Sequence, residues 1–356
     1  MVFMRSVSDL DTPSVTILID RVQANIDRIQ GMVAGAGFAN RPHIKTHKIP
    51  QIARMQIAAG AVGITCQKLS EAEAFIDAGV ADDILITFNI VGEKKLERLM
   101  ALSARIKRLA VVADSETVLR GISAAAVRHD RVVPFLVECD TGFGRNGVQS
   151  PAAAVALAQL STSLPGVRFE GVMTYPVGTP AAKIFLVETL ALFAAAGIEV
   201  PIVSGGGSPA LTSLADFPML TEHRAGTYVY NDVMMMASGV AGWDDCALQV
   251  RATVVSRPSP DRAIIDAGSK VLTREQYYVK DFGRVVEYPD AVVANLSEEH
   301  GMIDLSRSAT KPEVGDVVSI IPNHCCVVSN MVDRVYVVRG DQVIDIYPVA
   351  ARGAVW

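Results

Sequence analysis

No run of about 18 consecutive apolar residues occurs in this 356-residue chain, although 50% of its residues are hydrophobic. Arg, Asp or Lys interrupts every candidate, which excludes a membrane-spanning helix. The first residues, MVFMRSVSDLDTPS, lack the apolar core of a secretory signal. Positive charge is not in excess either: the net charge is −5 with 20% charged residues, so nothing argues for nucleic acid or an anionic membrane as partner. Cysteines are few and odd in number, the five being Cys66, Cys139, Cys246, Cys325 and Cys326. Irregular spacing in a long chain points to reduced thiols and a cytoplasmic setting, not to a disulfide framework. Sequence repeats and low-complexity linkers are missing as well, so the parts of the chain are expected to pack tightly.

What is present is an alternation. From about residue 14 to 235, short apolar runs (VTILID, VGITCQ, DILITF, RLAVVAD, VPFLVECD, FEGVMTY, PIVSGGG) alternate with segments of helical periodicity such as RVQANIDRIQGMVAGA and KKLERLMALSARI. Strands apolar throughout and separated by helices indicate a parallel sheet buried on both faces. Adding HIK and TYVYND brings the count to roughly eight, which favours a (β/α)8 TIM barrel over 13–239, with an open doubly wound sheet as the alternative. Beyond about residue 240 the texture changes to strand-like runs (LQVRATVVSRP, DRAIIDAGS, DVVSIIPNHC, DRVYVVRGDQVIDIYPV) punctuated by turn signals. This predicts a mostly antiparallel β domain over 240–356, which residues 1–12 are expected to join.

In such a barrel functional groups gather at the C-terminal ends of strands. There lie His43 and Lys45, Gln67 and Glu71, Asp140 and Arg145, Tyr175, the SGGGS block and GTYVYND. Lys45, in RPHIKTHKIPQIA, is either a surface lysine or an amine able to form a Schiff base with a carbonyl group. Gly205, Gly206, Gly207 and Ser208 are either a flexible turn or a cradle whose backbone approaches a phosphate closely. A reactive lysine and an anion site on one face are the two features that pyridoxal phosphate requires. In NHCCVVSN, His324 and Cys326 are two apart. On an extended strand they share a face, offering imidazole and thiolate to Zn²⁺ while Cys325 points to the domain core. The alternative is a strand-end histidine beside two buried thiols. His300, in SEEHG, is either a surface turn residue or a further contributor to the site.

Taken together, DTPSVTILID, RPHIKTHK, GITCQKLSEAE, VECDTGFGRNG, SGGGS, AGTYVYND, IIDAGSK, SEEHG and PNHCC resemble the D-serine dehydratase/D-threonine aldolase family of alanine-racemase-like pyridoxal-phosphate enzymes. The resemblance spans nearly the whole chain. It implies that Lys45 carries the cofactor, that Gly205, Gly206, Gly207 and Ser208 hold its phosphate, and that Tyr228 belongs to the same pocket. It places Arg145 near the phenolic oxygen and Tyr175 at the pyridine nitrogen. It makes His324 and Cys326 the holders of a divalent metal, Zn²⁺, or Mn²⁺ if an oxygen ligand joins. It also implies a homodimer with sites shared between barrel and β domain.

The expected reaction is elimination of water from a 3-hydroxy-D-amino acid (D-serine, D-threonine or D-threo-3-hydroxyaspartate), giving a 2-oxo acid and ammonia. The alternative is retro-aldol cleavage to glycine and an aldehyde. Histidine with cysteine at the metal pair resembles the dehydratase branch, whereas the aldolase branch usually has histidine with aspartate in this spacing. The chain also lacks the histidine that follows the matching tyrosine in typical aldolases, reading TYPVGTPAAKIF instead. Cleavage would then need another base, such as His300 or a metal-bound hydroxide. Less expected are an amino-acid racemase, which would leave the metal pair idle, and a cofactor carrier without chemistry.

Overall fold

The computed structural model describes residues 5–356. Two compact units emerge. The chain up to Arg28, with Thr46–Gln51 and Thr227–Gly353, forms one; Ile29–Lys45, Ile52–Gly226 and Ala354–Trp356 form the other. Among the described residues no helix is long and apolar enough to cross a membrane.

The second unit is built on an eight-stranded parallel sheet. Its strands run Ala39–Asn40, Ile64–Cys66, Asp83–Asn89, Arg108–Ala113, Val133–Cys139, Val167–Thr174, Ile202–Gly206 and Glu222–Arg224. Ala39–Asn40 pairs with Glu222–His223, and a parallel bridge between His43 and Thr65 joins the other edge, so the sheet closes on itself. Closure is the barrel expected from the alternating pattern and removes the open doubly wound alternative. The strand cores (Leu85, Ala110, Val112, Leu136 and Met173) meet inside as a packed apolar cluster.

Two elements expected in the barrel lie elsewhere. Ser14–Leu18 pairs antiparallel with Leu248–Ser259 and parallel with Arg334–Arg339, in the other unit's sheet. An apolar run buried on both faces reads alike whichever sheet receives it, so its composition did not assign it. TYVYND is not a strand: Thr227–Val229 is a 3₁₀ turn. The eighth strand is the polar EHR, whose inward charges hid it. Glu222 accepts from Arg41 Nε at 2.6 Å, and Arg41 also makes a two-pronged contact with Asp83 at 2.7 and 3.0 Å. HIK likewise is mostly a 3₁₀ turn, Ile44–Thr46, following the strand.

In the other unit, Leu248–Ser259, Arg262–Ile265, Gly301–Asp304, Val292–Leu296, Gly283–Val285 and Val317–Pro322 pair in that order. The last returns to the first, so these strands form a closed antiparallel ring without free edges. Arg5–Ser6 pairs with Gln342–Val343. Of the segment 1–12, residues 1–4 lie outside the described residues.

His223 is wholly buried; its Nε2 lies 3.2 Å from the Gly207 carbonyl, and its Nδ1 has no hydrogen-bond partner among the described residues. The proton therefore sits on Nε2. Burial first, then the neighbouring Arg224 charge, pulls its pKa down to about 4.

Two outcomes are expected. Arg41→Ala leaves Glu222 buried without its cation and costs about 3–5 kcal/mol, read as a lower urea midpoint. Because His223 is kept neutral in the fold but charges in the unfolded chain, its stabilisation is present above about pH 6.5 and is lost as pH falls toward 4. Relative to the wild type, His223→Gln should therefore gain up to about 3 kcal/mol between pH 7.5 and pH 4. A pH-independent difference between the two proteins would contradict this.

Candidate active site

The polar groups at the C-terminal ends of the barrel strands meet as one cationic mouth. Lys45 stands on the turn that leaves the first strand, its N–H directed at His43 Nδ1 at 3.4 Å. His43 Nε2 lies 3.1 Å from Gln67 Oε1, and Gln67 Nε2 donates to the Thr87 carbonyl at 3.0 Å. Nδ1 thus accepts and Nε2 carries the proton. Burial, followed by the charges of Lys45, Arg224 and Arg145, drives the His43 pKa far below its ordinary range. The imidazole is neutral, and these three cations share one neighbourhood.

Arg224 is buried at the end of the last strand; it donates to Ser204 Oγ and, at 2.9 Å, to the Thr174 carbonyl. Burial lowers its pKa to about 10, the opposing charges of Glu222 and Glu138 notwithstanding, so it is cationic at neutral pH. It explains the glycines. A Cβ on Gly206 would lie 2.9 Å from Arg224 Nη2, and Gly207 has φ +113° with the Tyr175 ring 3.4 Å from where its Cβ would stand. Only bare backbone fits between the guanidinium and the phenol ring. Ser208, buried, accepts the Gly226 N–H at 3.3 Å and begins the helical segment Ser208–Asp216. Tyr175 is flanked by Phe143, ring centroids 5.6 Å apart, and by the Arg145 guanidinium 5.0 Å from its ring. A cavity of about 300 Å³ opens beside them, lined by Gln67, Phe88, Asn89, Arg145 and Asn146. A side-chain-free cradle, a free-standing lysine turn and several cations suit a phosphorylated aldehyde cofactor.

Tyr228 lies in the other unit, wholly buried in its 3₁₀ turn. That unit also holds His324 and Cys326, and here the expected geometry is corrected. They do not share the face of a strand: the strand ends at Pro322, His324 is an N-cap and Cys325–Met331 is an α-helix. Buried Asp232 caps it from a distance, its Oδ2 accepting the Cys325 N–H at 3.1 Å and its Oδ1 that of Met235 at 3.0 Å. Valine-rich composition reads as strand, but this capping bond and the burial of Cys325 and Val328 impose a helix. His324 Nδ1 is 2.5 Å from Glu275 Oε2, and Cys326 Sγ is hydrogen-bonded to Thr46 Oγ1 at 3.2 Å.

Hydrogen bonding from Cys325, with the His324 charge, holds the Cys326 thiol well below its ordinary pKa against the effect of burial. Burial would lower His324, yet Cys326, Asp232 and Glu275 outweigh it and push the imidazole up to about 9. Thiolate and imidazole side by side are a donor set suited to a soft or borderline divalent metal. Among the described residues no cluster of three or more His, Cys, Asp or Glu is placed to hold a metal.

His300 is exposed on the turn between Val292–Leu296 and Gly301–Asp304, its carbonyl accepting the Ser297 N–H at 2.9 Å. Among the described residues no hydrogen bond, ion pair or ring contact joins its imidazole to His324 or Cys326. Sequence reasoning passed over Arg224, Glu138 and Asp232. The first followed an unrecognised strand, the second sat inside an apolar run, and the third acts through 93 residues of separation.

Comparison with known proteins agrees with these features. Residues 17–233 match the family Alanine racemase, N-terminal domain, and residues 247–338 match the Putative serine dehydratase domain. The chain is 36% identical to D-threonine aldolase of Arthrobacter sp., over 97% of this chain and 93% of that one. It is 32% identical to D-threo-3-hydroxyaspartate dehydratase of Delftia sp. (strain HT23), over 89% and 91%. Among solved structures, D-threonine aldolase from Filomicrobium marinum superposes with a TM-score of 0.89 at 32% identity, covering 98% of each chain. The chain belongs to the D-serine dehydratase/D-threonine aldolase family of alanine-racemase-like, pyridoxal-phosphate-dependent lyases.

Proposed function

We propose that this lyase removes water from a 3-hydroxy-D-amino acid, with a divalent metal assisting, to yield a 2-oxo acid and ammonia. The observation that carries this reading is the His324–Cys326 pair, in which a depressed thiol stands beside an imidazole. The Delftia dehydratase has been solved with a histidine and a cysteine, two positions apart, each replaced by alanine, the cysteine variant in a metal-free form. His324 and Cys326 have the same spacing and residue types.

Pyridoxal phosphate, when bound, supplies an electron sink for charge at Cα, and the metal supplies a Lewis acid at the β-hydroxyl. Lys45 would hold the cofactor through Nζ. Its amine, when not engaged in that bond, would serve as the base for the Cα proton. Gly205, Gly206, Gly207 and Ser208 would receive the phosphate and Arg145 the phenolic oxygen, and Tyr228 is a further cofactor-binding residue by family resemblance alone. Tyr175, which the family resemblance assigns to the pyridine nitrogen, is a phenol and would not protonate that nitrogen strongly, so a divalent metal held by His324 and Cys326 would supply the further polarisation. The Cα–H and Cβ–O bonds break, hydroxide leaves as water, and the released enamine is hydrolysed to the 2-oxo acid and ammonia. D-Serine, D-threonine and D-threo-3-hydroxyaspartate all carry the required hydroxyl.

Retro-aldol cleavage is the second reading, favoured by the 36% identity to the Arthrobacter aldolase. It needs a base for the hydroxyl proton. Pro176 follows Tyr175, and His300 stands exposed on its hairpin turn, so neither position offers an evident one.

Purified protein with pyridoxal phosphate should show a visible absorbance band that Lys45→Ala lacks; an unchanged yellow variant would remove Lys45 from its role. Incubation with D-threonine or D-threo-3-hydroxyaspartate and Zn²⁺ or Mn²⁺ should release ammonia and the 2-oxo acid, and chelation should stop it. Glycine with an aldehyde would establish the aldolase reading instead.

A further inference from the structure

Glu138 is the penultimate residue of the barrel strand Val133–Cys139 and only 2% exposed. A carboxylate at that depth requires donors or cations around it. Asn146 Nδ2 donates to Glu138 Oε2 at 2.7 Å, and Asn146 Oδ1 accepts from Arg145 Nε at 2.9 Å. Arg145 Nη2 lies 3.8 Å from Glu138 Oε1, so the three side chains form a ring. The Arg145 guanidinium also lies 5.0 Å from the Tyr175 ring and 5.7 Å from the Phe143 ring. An arginine side chain that is 45% exposed is thereby held by a buried carboxylate and two aromatic rings.

Other charged groups face the same carboxylate. Burial raises the Glu138 pKa to about 7; Arg145 and Arg224 oppose this and Asp114 adds to it. Asp114 Oδ2 also accepts the Gly147 N–H at 3.1 Å, which ties down the end of the loop that carries Arg145 and Asn146. Glu138 therefore faces both guanidiniums of the mouth, and it has no part in the chemistry described above.

We propose that Glu138 is a positioning residue: through Asn146 it fixes the Arg145 guanidinium over Tyr175, in the orientation that receives an anionic oxygen of the bound cofactor. The inference rests on the role given to Arg145 under the proposed function. A guanidinium held in place gives up little rotamer freedom on binding, whereas a loose one must be ordered at the expense of affinity. A simple counter-charge would act in the reverse direction, because removing a nearby anion strengthens a cation's hold on an anionic ligand.

The test is a double-mutant cycle on the full chain, reading the pyridoxal phosphate dissociation constant and the pH midpoint of its visible band. Glu138→Gln and Asn146→Ala should each weaken cofactor binding roughly tenfold, the size of one hydrogen bond to a charged group, and shift the midpoint. On an Arg145→Ala background neither should add anything further. Additive effects, unchanged constants or tighter binding would overturn the proposal. Asn146→Ala leaves the buried carboxylate in place, so it decides the matter if Glu138→Gln fails to fold. A wild type without a visible band would remove both this inference and the cofactor assignment; a band with an additive cycle would remove this inference alone.

Discussion

Closure of the parallel sheet through residues 39–43 is the constraint on which the barrel depends. Ala39–Asn40 meets the last strand and His43 meets Thr65 of the next, so one short segment holds both edges together. Arg41 lies between these two contacts and binds Glu222 on one side and Asp83 on the other. Glu222 would be costly to bury alone, and the Arg41 guanidinium compensates it while sharing the half-buried Asp83 with Arg108. The chain then turns out of the sheet at Ile44–Thr46, which delivers Lys45 to the C-terminal mouth. The position of the lysine thus follows from the way the ring is closed.

The two units manage charge in opposite ways. At the barrel mouth Lys45, Arg145 and Arg224 gather while the two histidines beside them, His43 and His223, are kept neutral by burial and by those same cations. The result is a positive field with few competing anions, aimed at backbone that leaves room for a phosphate. In the other unit a thiolate and an imidazolium stabilise each other, with Asp232 and Glu275 nearby. Imidazole and thiolate both bind metal in their deprotonated forms, which is the role the proposed function gives this pair.

Much of this was legible in the sequence. Strands buried on both faces carry uninterrupted apolar runs, and the helices between them keep their own period, so barrel and β unit separate by texture alone. Lys45, the glycine block, Tyr175, Arg145 and the His324–Cys326 pair stand out because polar or glycine-rich residues end otherwise apolar strands. What failed to show did so for identifiable reasons. Ser14–Leu18 has the composition of a barrel strand but the partners of an antiparallel one, and pairing is not encoded in hydropathy. Glu222–Arg224 is polar at every residue and reads as a loop, because its two charged side chains are satisfied by Arg41 and Ser204, which only folding brings beside them.

The sequence by itself determined the class of architecture, the family and the residue types available for chemistry, because periodicity and local motifs are short-range properties. Tertiary structure alone decided which strands share a sheet, that Cys325–Met331 is a helix capped by Asp232, and that Glu138 faces Arg145 and Arg224. Each of those depends on desolvated charges and hydrogen bonds between residues distant in the chain, whose energies come into being only when folding brings the partners together.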